Sequence, residues 1–279
     1  MSTVKTKKKI LVLGSTGKTG SRVMQRLTQL NWPVRAGSRS ADPAFDWQDQ
    51  TTWTPTLQGI HAVYISYHPD LAVPGTTDII RSFTATALKN GVQQLVLLSG
   101  RGEPEARDCE QIVMEAGMDW TILRSSWFSQ NFSEGFFVEP IVAGYVELPA
   151  PNIAEPFIDV DDIADAAVAA LTEEGHHGKL YELTGPRLLT FPEAIQEIAT
   201  ATGRKIEYKQ ISIQQYTALL TGYNVPAEYI SLVTYLFTEI LDGRNAHLND
   251  GVQQALGRKA TDFREYVQKT AATGVWDQR

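Results

Sequence analysis

A short apolar run, Ile10-Leu-Val-Leu13, breaks into Gly14-Ser-Thr-Gly-Lys-Thr-Gly20, with glycines at every third position. The stretch that follows is periodic, with Val23, Leu27 and Leu30 on one helical face. Val34–Arg39 then reads as a second strand. Strand, glycine turn, helix and strand within about 30 residues is the context a dinucleotide fingerprint requires. Gly14 permits the tight turn, Gly17 lets backbone approach a pyrophosphate, and Gly20 allows close packing of helix on strand. The helix N-terminus offers unpaired N–H groups to phosphate. A phosphate-binding loop for nucleoside triphosphates would need glycine at position 12, where this chain has Val12.

The end of the second strand bears on the cofactor. NAD-binding chains usually place an acidic residue there for the ribose hydroxyls. Here the residues are Ser38-Arg39-Ser40, and Asp42 comes too late. A guanidinium pairs with a 2′-phosphate that a carboxylate would repel, so the expected cofactor is NADP(H) rather than NAD(H). The expected contacts are Gly14, Ser15, Thr16, Gly17, Lys18, Thr19 and Gly20, with Ser38 and Arg39.

The pattern continues as α/β. Ala62–Ser66 reads as the fourth strand, and the polar, Trp-containing stretch 45–58 as a short or missing third one. A helix is expected over Asp78–Asn90, closed by Gly91, and a strand over Leu95–Ser99. Another helix spans Glu105–Ala116, stopped at Gly117, before a strand at Thr121–Arg124. This predicts a doubly wound parallel sheet of the Rossmann type, whose ligands lie beyond the strands' C-terminal ends. Residues 14–20, 38–39, 66–67, 99–101 and 124–131 fall at such ends, adding Ser66, Ser99, Gly100, Arg124, Trp127 and Asn131 to the expected cofactor contacts.

The second half predicts a strand at Gly144–Leu148 and an alanine-rich helix to Leu171 with Asp161 as N-cap, Asp159 and Asp161 being structural. A strand at Lys179–Thr184, a helix Phe191–Thr202 stopped by Gly203, and a strand at Ile206–Ile211 follow. Helices are expected near 213–221 and 226–241. The expected division is a Rossmann core over 1–155, then the remaining sheet elements and a smaller, mostly helical substrate-side lobe over 156–279. The lobe's aromatic residues suit an apolar or aromatic small molecule, and core packing accounts for them equally well.

Composition removes other classes. With 25 basic against 32 acidic side chains, a broad nucleic-acid surface is not expected. The cluster Lys5, Lys7, Lys8 and Lys9 reads as a solvated edge, without the apolar run of a signal peptide. No stretch of 18 apolar residues marks a membrane span. Cys109 is the single cysteine, and the five histidines lack ligand spacing, so neither a disulfide nor a metal site is expected. These features suit a cytoplasmic protein, monomeric or homodimeric.

The chain also resembles atypical short-chain dehydrogenases of the NmrA-like group. The matching pieces are Gly14-x-x-Gly17-x-x-Gly20, Leu97-Leu-Ser99, Gly117-Met-Asp-Trp-Thr-Ile-Leu-Arg124, Trp127-Phe128-x-x-Asn131, Phe157-Ile-Asp-Val-Asp-Asp-Ile-Ala164 and Ala255-Leu-Gly-Arg-Lys-x-x-Asp-Phe263. That group holds quinone and azo reductases, imine reductases resembling those of ergot-alkaloid synthesis, and nonenzymatic redox-sensing regulators. Conventional members use a Ser–Tyr–x–x–x–Lys arrangement. Here the tyrosine and lysine positions fall near Gly102 and Ala106, neither of which moves a proton. Ser99 remains, and Tyr67 and Tyr64 are the substitutes on the side where the group places the nicotinamide. Arg101, Glu103 and Asp108 are further candidates, Glu103 reading as solvated surface. The resemblance implies an NADPH-dependent reductase of a small planar or activated substrate (quinone, azo or imine type). It would act by direct hydride transfer, with Tyr67 and Ser99 at the reacting end. The alternatives are a nonenzymatic NADP(H)-sensing regulator, or a nonredox isomerase or cyclase.

Overall fold

A computed structural model describes residues 7–278, so Lys5 of the basic cluster lies outside the described residues. The chain forms two compact units: residues 1–124, 163–182 and 254–257, and residues 125–162, 183–253 and 258–279.

The first unit carries strands β1 (Ile10–Leu13), β2 (Val34–Gly37), β3 (Ala62–Ile65), β4 (Gln94–Gly100) and β5 (Asp119–Ser125). A strand of the second unit, β6 (Tyr145–Leu148), intervenes in the chain before β7 (Lys179–Leu183) completes the sheet, in the order β2-β1-β3-β4-β5-β7. β1 pairs in parallel with β2 and β3, and β3 with β4. Crossovers run through α1 (Lys18–Gln29), α3 (Thr76–Lys89) and α4 (Pro104–Met114), with the short α2 (Trp53–Leu57) before β3. The order turns back between β1 and β3, which makes the gap beyond their C-terminal ends the topological switch point.

Both faces of the sheet are buried, as continuous apolar strands require. Leu11, Leu13, Val63, Ile65, Leu95 and Leu97 pack with Phe83, Ala106 and Val113 of α3 and α4. On the opposite face Ile10, Val12, Tyr64 and Val96 are equally buried. There α1 contacts β1 and β2, and Arg26 of α1 bonds to Asp165 at 2.6 Å in α6 (Val160–Thr172). The stretch 45–58, where the sequence predicts a short or missing strand, holds none. It spends Phe45, Trp47 and Trp53 on covering Phe83, with ring centroids 5.9, 5.1 and 5.6 Å away.

The second, smaller unit holds β6, paired in parallel with β8 (Glu207–Gln210), and the helices α5 (Val138–Ala143), α7 (Phe191–Thr202), α8 (Ile213–Gly222) and α9 (Ala227–Tyr235). α9 runs into a π-helical turn at Leu236–Ile240, and α10 (Gly251–Leu256) and α11 (Phe263–Ala271) follow. Phe132, Phe157, Phe191 and Phe263 form its aromatic centre. α7 has the predicted bounds because Thr190 and Glu193 form a reciprocal capping box and Gly203 takes the left-handed conformation after the last turn. One expectation is corrected here. Asp161 sits inside the first turn of α6, and it is Asp159 that accepts the Asp161 amide at 2.9 Å and caps the helix. Gln130 holds that carboxylate in place with a 2.7 Å bond to Asp159.

Candidate functional site

The glycine turn joins β1 to α1 at the switch point. Gly14 has φ +67°, and a Cβ there would stand 2.9 Å from the Ser66 carbonyl oxygen. A Cβ on Gly20 would stand 2.1 Å from the Gly14 carbonyl oxygen, so turn and helix touch backbone to backbone. Gly17 is different: it is exposed, and the nearest atom to a Cβ there is the Gly14 oxygen at 3.3 Å. Gly17 is also the N-cap of α1 and supplies no side chain to bond the first N–H groups. The helix start is therefore open to an anion. Ser15 Oγ is buried here without a hydrogen-bond partner. Thr16 is exposed, Lys18 half-buried, and Thr19 Oγ1 lies 3.5 Å from Ser66 Oγ. An uncapped helix start, an unfilled approach at Gly17 and an orphaned hydroxyl together fit a pyrophosphate.

At the end of β2, Ser38 Oγ lies 3.2 Å from Ser40 Oγ. Arg39 between them is exposed and enters no ion pair among the described residues. Its guanidinium is uncommitted, while Arg35, Arg101 and Arg124 are each engaged within the unit.

Ser99 and Arg124 are both spoken for. Ser99 Oγ donates to Glu110 Oε1 at 2.6 Å, and Arg124 holds the same carboxylate through Nε at 2.9 Å and a second nitrogen at 2.5 Å. Arg124 also bonds to Glu182 at 3.1 Å, and Arg101 stands 3.8 Å from Glu182. Two cations and two carboxylates thus compensate one another under the C-terminal ends of β4 and β5. Glu110 raises the already high pKa of Arg124 further. The group's tyrosine and lysine positions hold Gly102, in a left-handed turn, and buried Ala106.

Tyr67 lies in the core with its ring against Trp47, centroids 4.9 Å apart, and its hydroxyl bonded to Thr76 and Gln48. Burial raises its pKa, as it does that of the fully buried Tyr64. Gly100 ends β4. Trp127 and Asn131 belong to the second unit, where Trp127 packs against Phe191 and Phe237 with centroids 5.3 Å away in both cases. Cys109 is buried in α4, its thiol pushed up to about 12 by burial and neighbouring carboxylates.

Glu103 corrects the sequence reading. It is not solvated surface but 6% exposed, folded over the turn between β4 and α4. It bonds to Asp70, in the loop after β3, and burial together with Asp70 holds its carboxyl well above the ordinary range. Sequence reasoning missed the pair because the two residues meet only through adjacent strands. The available signal was that each follows a strand end. Among the described residues no cluster of His, Cys, Asp and Glu suits a metal, and no helix is long and apolar enough to cross a membrane.

Comparison with known proteins agrees with this geometry. A family model described as NAD(P)H-binding matches residues 14–174. An uncharacterized oxidoreductase of Bacillus subtilis is 30% identical over 96% of this chain and 98% of its own. An NAD(P)H azoreductase of Xenophilus azovorans is 28% identical over 94% of this chain and 98% of its own. The NADPH-dependent quinone oxidoreductase of Escherichia coli, solved with NADPH, has the same fold, with TM-score 0.76 and 22% identity over 93% of this chain and 99% of that one. With its fingerprint turn inside a match that spans more than half of its length, the chain belongs to the NAD(P)H-binding family.

Proposed function

We propose that the protein is an NADPH-dependent reductase of a small planar or activated organic compound, of quinone, azo or imine type, within the NmrA-like branch of its family. The observation that carries this reading is the pairing of an open α1 N-terminus with an exposed, uncommitted Arg39 at the end of the neighbouring strand. Gly14–Gly20 would hold the pyrophosphate, and Ser38 and Arg39 the 2′-phosphate, with Ser66, Ser99 and Gly100 along the strand ends beyond. When bound, the cofactor supplies a hydride.

The chain's own residues position and shield. Ser99 orients Glu110, Arg124 neutralises it, and Tyr67 keeps its phenolic proton. None of them is poised as the usual tyrosine donor is, which favours substrates that are already electron-poor and need chiefly a positioned hydride. The azoreductase and quinone oxidoreductase names of its relatives support that class. The test is loss of reduced-nicotinamide absorbance with a quinone, azo and imine panel. Turnover of at least one class with NADPH is expected. Tight NADPH binding with no turnover of any would point instead to a sensor or a nonredox enzyme.

A further inference from the structure

β3 and β4 pair with Ile65 beside Leu97, so Ser66 shares a face of the sheet with Leu98 and, two residues on, Gly100. Val12 pairs with Tyr64, which puts Gly14 on that face as well. The pyrophosphate turn and Gly100 therefore open on the same side of the sheet, at the C-terminal ends of strands that flank β3. A Cβ on Gly100 would stand 2.3 Å from Glu103 Oε1 and 2.4 Å from Oε2. The Glu103 carboxyl thus fills the space that a side chain at 100 would take. It is 6% exposed, and its Oε2 has no hydrogen-bond partner. Its other contact is Asp70, which in turn accepts the Ala72 amide at 2.9 Å.

Glu103 is buried and Asp70 half-buried, and two carboxyls in contact oppose each other's ionisation, so the pair holds a proton to higher pH than either would alone. The charged groups that face Glu103 are Asp70 from the loop after β3 and Glu105 and Glu110 from α4, and all of them oppose its ionisation.

We propose that Glu103 is the proton donor of the reduction, with Asp70 as the residue that keeps it protonated. This rests on the reductase reading above and narrows it to substrates that need a proton as well as a hydride. For an azo compound, one nitrogen gains the hydride from the reduced nicotinamide as the N=N π bond breaks. The electron pair left on the other nitrogen takes the Glu103 proton, the O–H bond breaking as the second N–H forms. The products are a hydrazine, oxidised nicotinamide and ionised Glu103, which regains a proton from solvent. A quinone reduced to its oxyanion takes the proton in the same way. An iminium ion, which becomes neutral on gaining the hydride, needs none.

The test has two arms. Infrared difference spectra of the cofactor-free protein at neutral pH should show a protonated carboxyl band that E103Q removes. In turnover, E103Q should lose about 100-fold or more in kcat with azo and quinone substrates, while NADPH affinity and iminium reduction are kept. D70N, which leaves Glu103 in place, should shift the alkaline limb of the azo pH–rate profile to lower pH. Absence of the band, or retained azo and quinone turnover in E103Q, overturns the donor role alone. Equal losses on all three substrates overturn it too. Absence of turnover by the wild-type protein overturns the reductase reading and the donor role with it, whatever the spectra show.

Discussion

Arg124 grips Glu110 through two hydrogen bonds, of 2.9 and 2.5 Å, and the same carboxylate receives Ser99 Oγ at 2.6 Å. This knot ties the last residues of β4 and β5 to α4.

The knot is structural, which sets the first expectation. Glu110 is 1% exposed, and removing it takes from Arg124 the nearer of its two carboxylate partners and from Ser99 its acceptor, leaving Glu182 at 3.1 Å as the remaining counter-charge. Glu110→Ala should cost about 1.5–3 kcal/mol of stability, the worth of a hydrogen bond to a charged group, read by chemical denaturation. A loss within the range of ordinary surface substitutions would show that Glu182 alone satisfies Arg124.

Arg39 should discriminate between the cofactors. Arg39→Ala should weaken NADPH binding about 10-fold or more, the worth of one charge-assisted hydrogen bond, and leave NADH nearly unchanged. Fluorescence titration with both nucleotides measures it. Equal losses for the two would take the 2′-phosphate away from Arg39.

The fingerprint glycines should separate fold from binding. Gly20→Ala drives a Cβ to 2.1 Å from the Gly14 carbonyl oxygen, an overpacking that should cost about 1–3 kcal/mol. Gly17→Ala meets only the Gly14 carbonyl oxygen, at 3.3 Å, a contact relieved by a shift of a few tenths of an ångström, and should cost far less stability than Gly20→Ala. It should nevertheless lose NADPH affinity, because the added methyl group stands where the pyrophosphate approaches. A Gly17→Ala protein that binds NADPH as the wild type does would argue against that placement.

Acid stability should depend on Asp262. Arg187 bonds to it at 2.8 Å and holds its carboxyl below the ordinary value. A depressed carboxyl contributes stability above its unfolded pKa and loses it as pH falls through the lower, folded one. The side chain is 39% exposed, so solvent screening limits the contribution to about 1 kcal/mol. Asp262→Asn should therefore be less stable than the wild type near neutral pH, and the difference should shrink below about pH 4. A gap that persists in acid would point to the Arg264 amide, which Asp262 also caps at 2.8 Å.

Local features were the legible ones. Gly14, Gly17 and Gly20 act within one turn, and Thr190, Glu193 and Gly203 set α7 from its own residues, so both could be read from the chain. The α6 cap was displaced by two residues, because Asp159 and Asp161 are equally good caps and the choice rests on Gln130, distant in sequence. Glu103 is buried where its sequence context points to solvent. A glutamate among charged residues looks solvated, and only the register of β3 and β4 brings it to Asp70. Tyr67 was legible as a strand-end tyrosine, but its burial against Trp47 depends on how the stretch 45–58 folds back.

Titration of the purified protein with NADPH and NADH, followed by fluorescence, tests the account at its base. Saturable binding of both is expected, with NADPH the tighter and Gly17→Ala impaired for each. Failure to bind either nucleotide would contradict the assignment of the Gly14–Gly20 turn, and with it everything built on that turn.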